Sequence, residues 1–165
     1  MAGLPESKEK VSRQGTRSDL YSQGRLPHPM REYCFPYREE PSKTFSRIAR
    51  PVVEVFLREE TGEWLKVFPY ADSGADFSLF PKGICKLLGL RLNAGQRSLI
   101  QGVGAKPTVV YLHRVEMRIG EKSFSARVGF AASERMPYLL GRLDVLEHFD
   151  IRFEKDRVCF AERKE

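Results

Sequence analysis

The sequence has 165 residues, 41% of them hydrophobic and 30% charged, which allows one folded domain with a modest extra segment and excludes two full domains. Its net charge of +6 would suit contacts with phosphates. The basic residues are interleaved with acids, as in Arg38-Glu39-Glu40 and Arg152-Phe153-Glu154-Lys155-Asp156-Arg157, so they read as a mixed solvated surface and no nucleic-acid partner is expected.

Residues 1–46 are polar, carry several prolines and show no sustained period. They are expected to be a flexible segment, because they bury too little apolar surface to offset the entropy of ordering. An aromatic cluster within them, Tyr33, Phe35 and Tyr37, would dock either onto the folded part of the chain or onto a partner subunit. Residues 47–163 are expected to form the domain. Val52-Val53-Glu54-Val55-Phe56-Leu57 and Trp64-Leu65-Lys66-Val67-Phe68 flank a turn at Glu59-Glu60-Thr61-Gly62 and predict a β-hairpin. Pro69 cannot donate to a strand ladder and belongs at an edge or bulge.

A tight turn at Asp72-Ser73-Gly74 precedes the apolar run Phe77-Ser78-Leu79-Phe80. Pro81 at a helix start, Ile84, Leu87 and Leu88 on one face, and Gly89 as a C-terminal cap predict a short helix over 81–88. Strands follow at Arg97-Ser98-Leu99-Ile100, Val109-Val110-Tyr111-Leu112, Val115-Glu116-Met117-Arg118-Ile119 and 124–130. A glycine-bearing turn, Gln101-Gly102-Val103-Gly104, separates the first two of these. Residues 143–149 allow one or two helical turns, and Ile151-Arg152-Phe153 with Arg157-Val158-Cys159-Phe160 predict a closing hairpin. Many short strands with turns between them argue for a closed all-β barrel.

Three cysteines, Cys34, Cys85 and Cys159, are odd in number and widely spaced. They suggest neither a disulfide framework nor a metal or redox pair, and reduced thiols in a cytoplasmic protein are the simplest expectation. His28, His113 and His148 lack ligand spacing, so no metal is expected. The start, Met1-Ala2-Gly3-Leu4, has no apolar stretch behind its charges and does not read as a signal peptide. Without a run of about 18 apolar residues, no membrane span or membrane partner is expected.

Asp72-Ser73-Gly74 alone is ordinary turn chemistry, since Asp and Ser bond their own backbone and Gly accepts a positive φ. Three segments in order say more. Phe68-Pro69-Tyr70-Ala71-Asp72-Ser73-Gly74-Ala75-Asp76 resembles the signature of aspartic proteases. Leu99-Ile100-Gln101-Gly102-Val103-Gly104-Ala105 resembles the glycine-rich flap of their retroviral branch. Tyr138-Leu139-Leu140-Gly141-Arg142 resembles their second signature, two apolar residues and Gly-Arg before a short helix. The resemblance to the retropepsin-like (single-lobe) aspartic protease family covers about the last two thirds of the chain.

That resemblance implies a retropepsin-like closed β-barrel with a flap hairpin and one or two short helices. It also implies a homodimeric endopeptidase acting on extended peptide or protein substrates without a cofactor. Asp72 would be catalytic. Because the chain has one such acid, the second carboxylate would come from another copy across a twofold axis. Ser73 would bond across that axis, Gly74 would permit the tight turn and offer its carbonyl to substrate, and Asp76 would form a partly buried ion pair with Arg142 of the Gly141-Arg142 motif. Gly102, Val103 and Gly104 would form the flap tip, with Ala75, Val103 and Leu140 as pocket walls. The alternative is a catalytically inactive binding or dimerisation module that keeps the fold.

Overall fold

The fold is that of a computed structural model, described over residues 31–102 and 106–163. Three strands, β1 (Glu32–Pro36), β2 (Arg38–Ser42) and β3 (Ser46–Arg50), come before the predicted hairpin. The hairpin itself is β4 (Val55–Arg58) and β5 (Trp64–Val67), with Gly62 at φ +94° in its turn. Then follow β6 (Tyr70–Ala71), β7 (Ser78–Pro81), the helix α1 (Lys82–Leu87), β8 (Gln96–Ile100), β9 (Thr108–Ile119), β10 (Lys122–Ala131), β11 (Leu139–Leu140), β12 (Phe149–Phe153) and β13 (Arg157–Glu162). Pro81 directly precedes α1, and Gly89 takes φ +85° just beyond it, where a left-handed residue ends the helix. A one-turn 310 helix at Leu146–His148 realises the expected turns in 143–149.

One sheet carries most of the molecule, in the order β5-β4-β9-β10-β7-β11-β6, with β8 added to β9. Its two ends approach each other. Val53 N–H donates to the Pro69 carbonyl and Ala71 N–H to the Pro51 carbonyl, both at 2.9 Å, so the chain leading into β4 lies along β6. Pro69 accepts there without having to donate. Inside the curl, Val55, Leu57, Phe80, Val115, Met117, Val128, Phe130, Leu140 and Phe149 form the main core.

The sequence suggested two strands between residues 109 and 119, whereas β9 is one strand whose register with β10 runs unbroken from Ile119↔Lys122 to Val110↔Ala131. The apparent break is a change of buried face. Val115, Met117 and Ile119 point into the main core, and Val110, of opposite parity, joins Leu79 and Ala131 in a second cluster across the sheet. Covering both faces explains why Ser78, Leu79, Phe80 and Pro81 are all buried.

Residues 32–50 are strands where the sequence showed no period, and the open question about the aromatic cluster has an answer. Tyr33, Phe35 and Tyr37 pack on the core of their own chain. The Tyr33 ring lies on Gly120, where a Cβ would collide with it, and its hydroxyl donates to Glu162 at 2.6 Å. Phe35 meets Phe160 edge-on at 5.9 Å. The expected flexibility of residues 1–30 lies outside the described residues.

The expectation of three reduced thiols is corrected. β1 pairs with β13 so that Cys34 stands directly opposite Cys159, and the two form a disulfide with their Cα atoms 4.1 Å apart. Sequence spacing hid it because the partners are 125 residues apart and meet only through strand pairing. Cys85, on the buried side of α1, remains a free thiol, and burial pushes its pKa up. No helix among the described residues is long and apolar enough to cross a membrane.

Candidate active site

Two short parallel strands, β6 and β11, run side by side and deliver two loops to one end of the barrel. The first loop begins at Asp72, whose N–H donates to the Leu140 carbonyl at 3.0 Å, fixing the start of the turn to the neighbouring strand. Asp72 Oδ1 accepts the Gly74 N–H at 2.9 Å, and the Ala75 N–H returns to the Asp72 carbonyl at 3.2 Å. The turn therefore closes through the aspartate side chain itself. Gly74 does not use a positive φ, contrary to the general expectation for such a turn. Its lack of a side chain matters for space, since a Cβ there would come to 3.3 Å from Asp72 Oδ1.

The second loop is laced to the first. Arg142 N–H donates to the Ala75 carbonyl at 2.9 Å and Leu143 N–H to the Asp76 carbonyl at 2.8 Å. The Arg142 guanidinium donates to Asp76 Oδ1 at 2.7 Å, which is the predicted ion pair. Its predicted burial is absent in the single chain, where the two side chains are 57% and 70% exposed. An exposed pair of this kind contributes only about 0–1 kcal/mol.

Gly141 shows why a glycine is needed here. A Cβ at that position would land on the Phe77 carbonyl group, 2.6 Å from its Cα. Both obstacles are backbone and cannot rotate away. Gly141→Ala is expected to destabilise the domain by about 2–3 kcal/mol, as overpacking does, and urea denaturation of the variant checks this. An unchanged midpoint would mean that the two loops are not in contact.

The groove beneath the β8–β9 hairpin has a volume of about 530 Å3, with Asp72, Gly74, Ala75 and Asp76 on its floor and Leu99, Ile100, Gln101 and Gly102 along the hairpin side. Asp72 is half-buried, while Ser73 and Gly74 are exposed. Phe77, Leu79, Met136 and Leu139, which belong to or pack on the second apolar cluster, supply its wall.

No protein-family model matches the sequence, and no curated protein does. Among solved structures, the chain is similar to a retropepsin-like aspartic protease from Rickettsia conorii, with a TM-score of 0.57 and 18% identity over 78% of this chain and 97% of that one. The chain has a retropepsin-like fold. The protease of EIAV, solved in complex with the inhibitor HBY-793, aligns more loosely, with a TM-score of 0.42 and 22% identity over 59% of this chain and 86% of that one.

Within this retropepsin-like fold, Asp72, Gly74, Ala75 and Asp76 line one groove together with Gly102. Gly141 and Arg142 abut it from the adjoining loop. Ser73 is exposed on a second, shallower groove of about 400 Å3 that it shares with Arg142, Leu143 and Phe153. Leu140, expected as a pocket wall, is fully buried in the main core and holds Asp72 from behind through its carbonyl. Val103 and Gly104 lie outside the described residues.

Two supporting residues escaped the sequence reading. Ser78 is fully buried, and its hydroxyl oxygen accepts the Gly141 N–H at 3.1 Å, tying the second loop to β7. A lone hydroxyl inside an apolar run was the available signal. Asp144 takes φ +62° and accepts three bonds from Arg127 of β10: the backbone N–H at 3.1 Å, Nε at 2.6 Å and Nη2 at 3.1 Å. Nothing local marks that contact.

Hydrogen bonding from the Arg127 side chain lowers the Asp144 pKa. With a folded value below the ordinary carboxylate value of about 4, the clamp contributes fully above that pH and is lost as pH falls through the folded value. Asp144→Asn is expected to flatten the acid limb of a stability–pH profile relative to the parent, measured by thermal denaturation. Identical limbs would contradict the clamp.

Among the described residues, the cluster closest to a metal-ligand set is Glu32, Cys34 and Cys159. Both of its sulfurs are in the disulfide, so it offers no thiolate.

Proposed function

We propose that the chain is an aspartic endopeptidase, active as a homodimer in which each copy supplies one Asp72 carboxylate. The observation that carries this reading is the placement of Asp72 on a self-closed turn on the floor of a 530 Å3 groove beneath a hairpin.

Peptide hydrolysis without a covalent intermediate needs one group to take a proton from water and another to give one to the carbonyl oxygen. Two carboxyl groups held about 3 Å apart cannot both ionise readily, so they share one proton and titrate as a unit. The ionised member takes a proton from water as the water oxygen bonds to the carbonyl carbon. The protonated member gives its proton to the carbonyl oxygen, forming a gem-diol. In breakdown, the carboxyl that took the water proton gives it to the amide nitrogen as the C–N bond breaks, and a gem-diol hydroxyl returns its proton to the other carboxylate, which restores the pair. An extended substrate would be held by main-chain bonds between the floor and the β8–β9 hairpin, with its side chains filling alternate pockets.

A second copy is needed to complete the pair, and the surface around Ser73 suits it. Leu143 and Phe153 are 40% and 51% exposed along the groove that starts at Ser73. β12 is an edge strand of the β1-β13-β12 sheet. Docking there would bring Ser73 to the twofold axis and cover the Asp76–Arg142 pair, so that removing either partner would strand the other charge. The disulfide withdraws the thiol argument for a cytoplasmic setting.

Sedimentation of the purified chain together with cleavage of a peptide library, from acidic to neutral pH, tests the proposal. Dimers that cut are the expected result. Tight dimers that cut nothing would leave the inactive module as the function.

A further inference from the structure

Among the described residues, three charged side chains line the groove: Asp72, Asp76 and Lys106. Asp76 is already paired with Arg142, and Asp72 is engaged by the Gly74 N–H. Lys106 stands in the loop that joins β8 to β9, two residues before β9 begins, as the one cation among the described residues of the lining, and no ion-pair partner for it occurs among the described residues. Nine other basic side chains, among them Arg127, Arg152 and Arg163, do have such partners. The same groove is also lined by the apolar side chains of Phe77, Leu79, Met136 and Leu139.

We infer that Lys106 is a specificity residue of this groove, selecting peptides that carry Asp or Glu at one position beneath the hairpin loop. The inference rests on reading the groove as a peptide site. The Lys106 ammonium group attracts an acidic side chain in the groove, and because Lys106 is exposed the gain is that of a surface ion pair. An extended peptide alternates its side chains, so the acidic residue and an apolar residue resting on the Met136–Leu139 wall would occupy positions on opposite sides of the strand. The carboxylate of Asp72 sets the other limit. An acid placed next to the scissile bond would be repelled by it, so the favoured position lies away from the cut.

The test uses peptides differing only by Glu, Gln or Lys at each position in turn. Cleavage by wild type, Lys106→Gln and Lys106→Glu is measured, and binding of the same peptides to Asp72→Asn protein is read by fluorescence anisotropy. At one position the wild type is expected to favour Glu over Gln by about fivefold, as an exposed ion pair would. The preference should appear in KM and weaken in high salt. It should vanish in Lys106→Gln and favour Lys in Lys106→Glu. Cleavage with no acidic preference, or a preference unchanged in Lys106→Glu, overturns the inference and leaves the proposed catalysis intact. Selective binding of acidic peptides by Asp72→Asn protein, with no cleavage by wild type, upholds it and removes the catalysis.

Discussion

Asp72→Asn is expected to lower peptide cleavage by at least about a thousandfold in kcat, the scale of losing a general acid–base group and its shared proton. Stability should stay within about 0.5 kcal/mol of the parent, as for substitutions that keep local contacts. Asparagine keeps an oxygen at Oδ1, so the bond from the Gly74 N–H, at 2.9 Å in the parent, is retained. The backbone bonds from Asp72 to Leu140 and from Ala75 to Asp72 do not involve the side chain at all. What disappears is an ionisable group whose proton can be given and regained. Circular dichroism melts alongside the assay separate the two effects. Cleavage that survives the substitution, with the fold intact, would remove Asp72 from the chemistry.

Removal of the Cys34–Cys159 bond is expected to cost about 2–5 kcal/mol of stability, the range for a native disulfide closing a long loop. It links strands 125 residues apart in sequence, so it constrains the unfolded chain across nearly the whole domain. Cys34 is exposed and Cys159 is buried in β13, so a Cys34→Ser, Cys159→Ser double variant removes the bond while leaving only a small polar change inside. β1 would still be held by its ladder with β13, the Tyr33–Glu162 hydrogen bond and the Phe35–Phe160 contact. The expected result is a folded variant with a lower denaturation midpoint, matched by the parent under a reductant. Equal midpoints with and without reductant would show that the bond contributes nothing.

Much of the fold was legible because local rules and the barrel agree. Apolar, β-rich runs between turn residues marked many of the strands, the Pro81 and Gly89 signals bounded α1, and Gly62 marked its hairpin. The loops were legible for another reason: Asp72-Ser73-Gly74 and Gly141-Arg142 are local sequence features whose contact the parallel β6–β11 pair then creates. Long-range matters were hidden. Cys34 and Cys159 meet only because β1 adds to β13, and Asp144 reaches Arg127 only across the barrel surface. The continuous burial of β7 concealed a second apolar face that a one-faced strand pattern does not show, and that face walls the groove. The exposure of the Asp76–Arg142 pair was equally beyond the sequence, because it depends on what covers the loops.

The most direct measurement of shared catalysis mixes wild-type and Asp72→Asn subunits and allows them to exchange. If each dimer needs one carboxylate from each copy, an equal mixture holds only about a quarter of its dimers as wild-type pairs. Activity would then follow the square of the wild-type fraction at constant total protein. Activity in simple proportion to that fraction would mean that one Asp72 suffices, and the pairing of two subunits around a common proton would be contradicted.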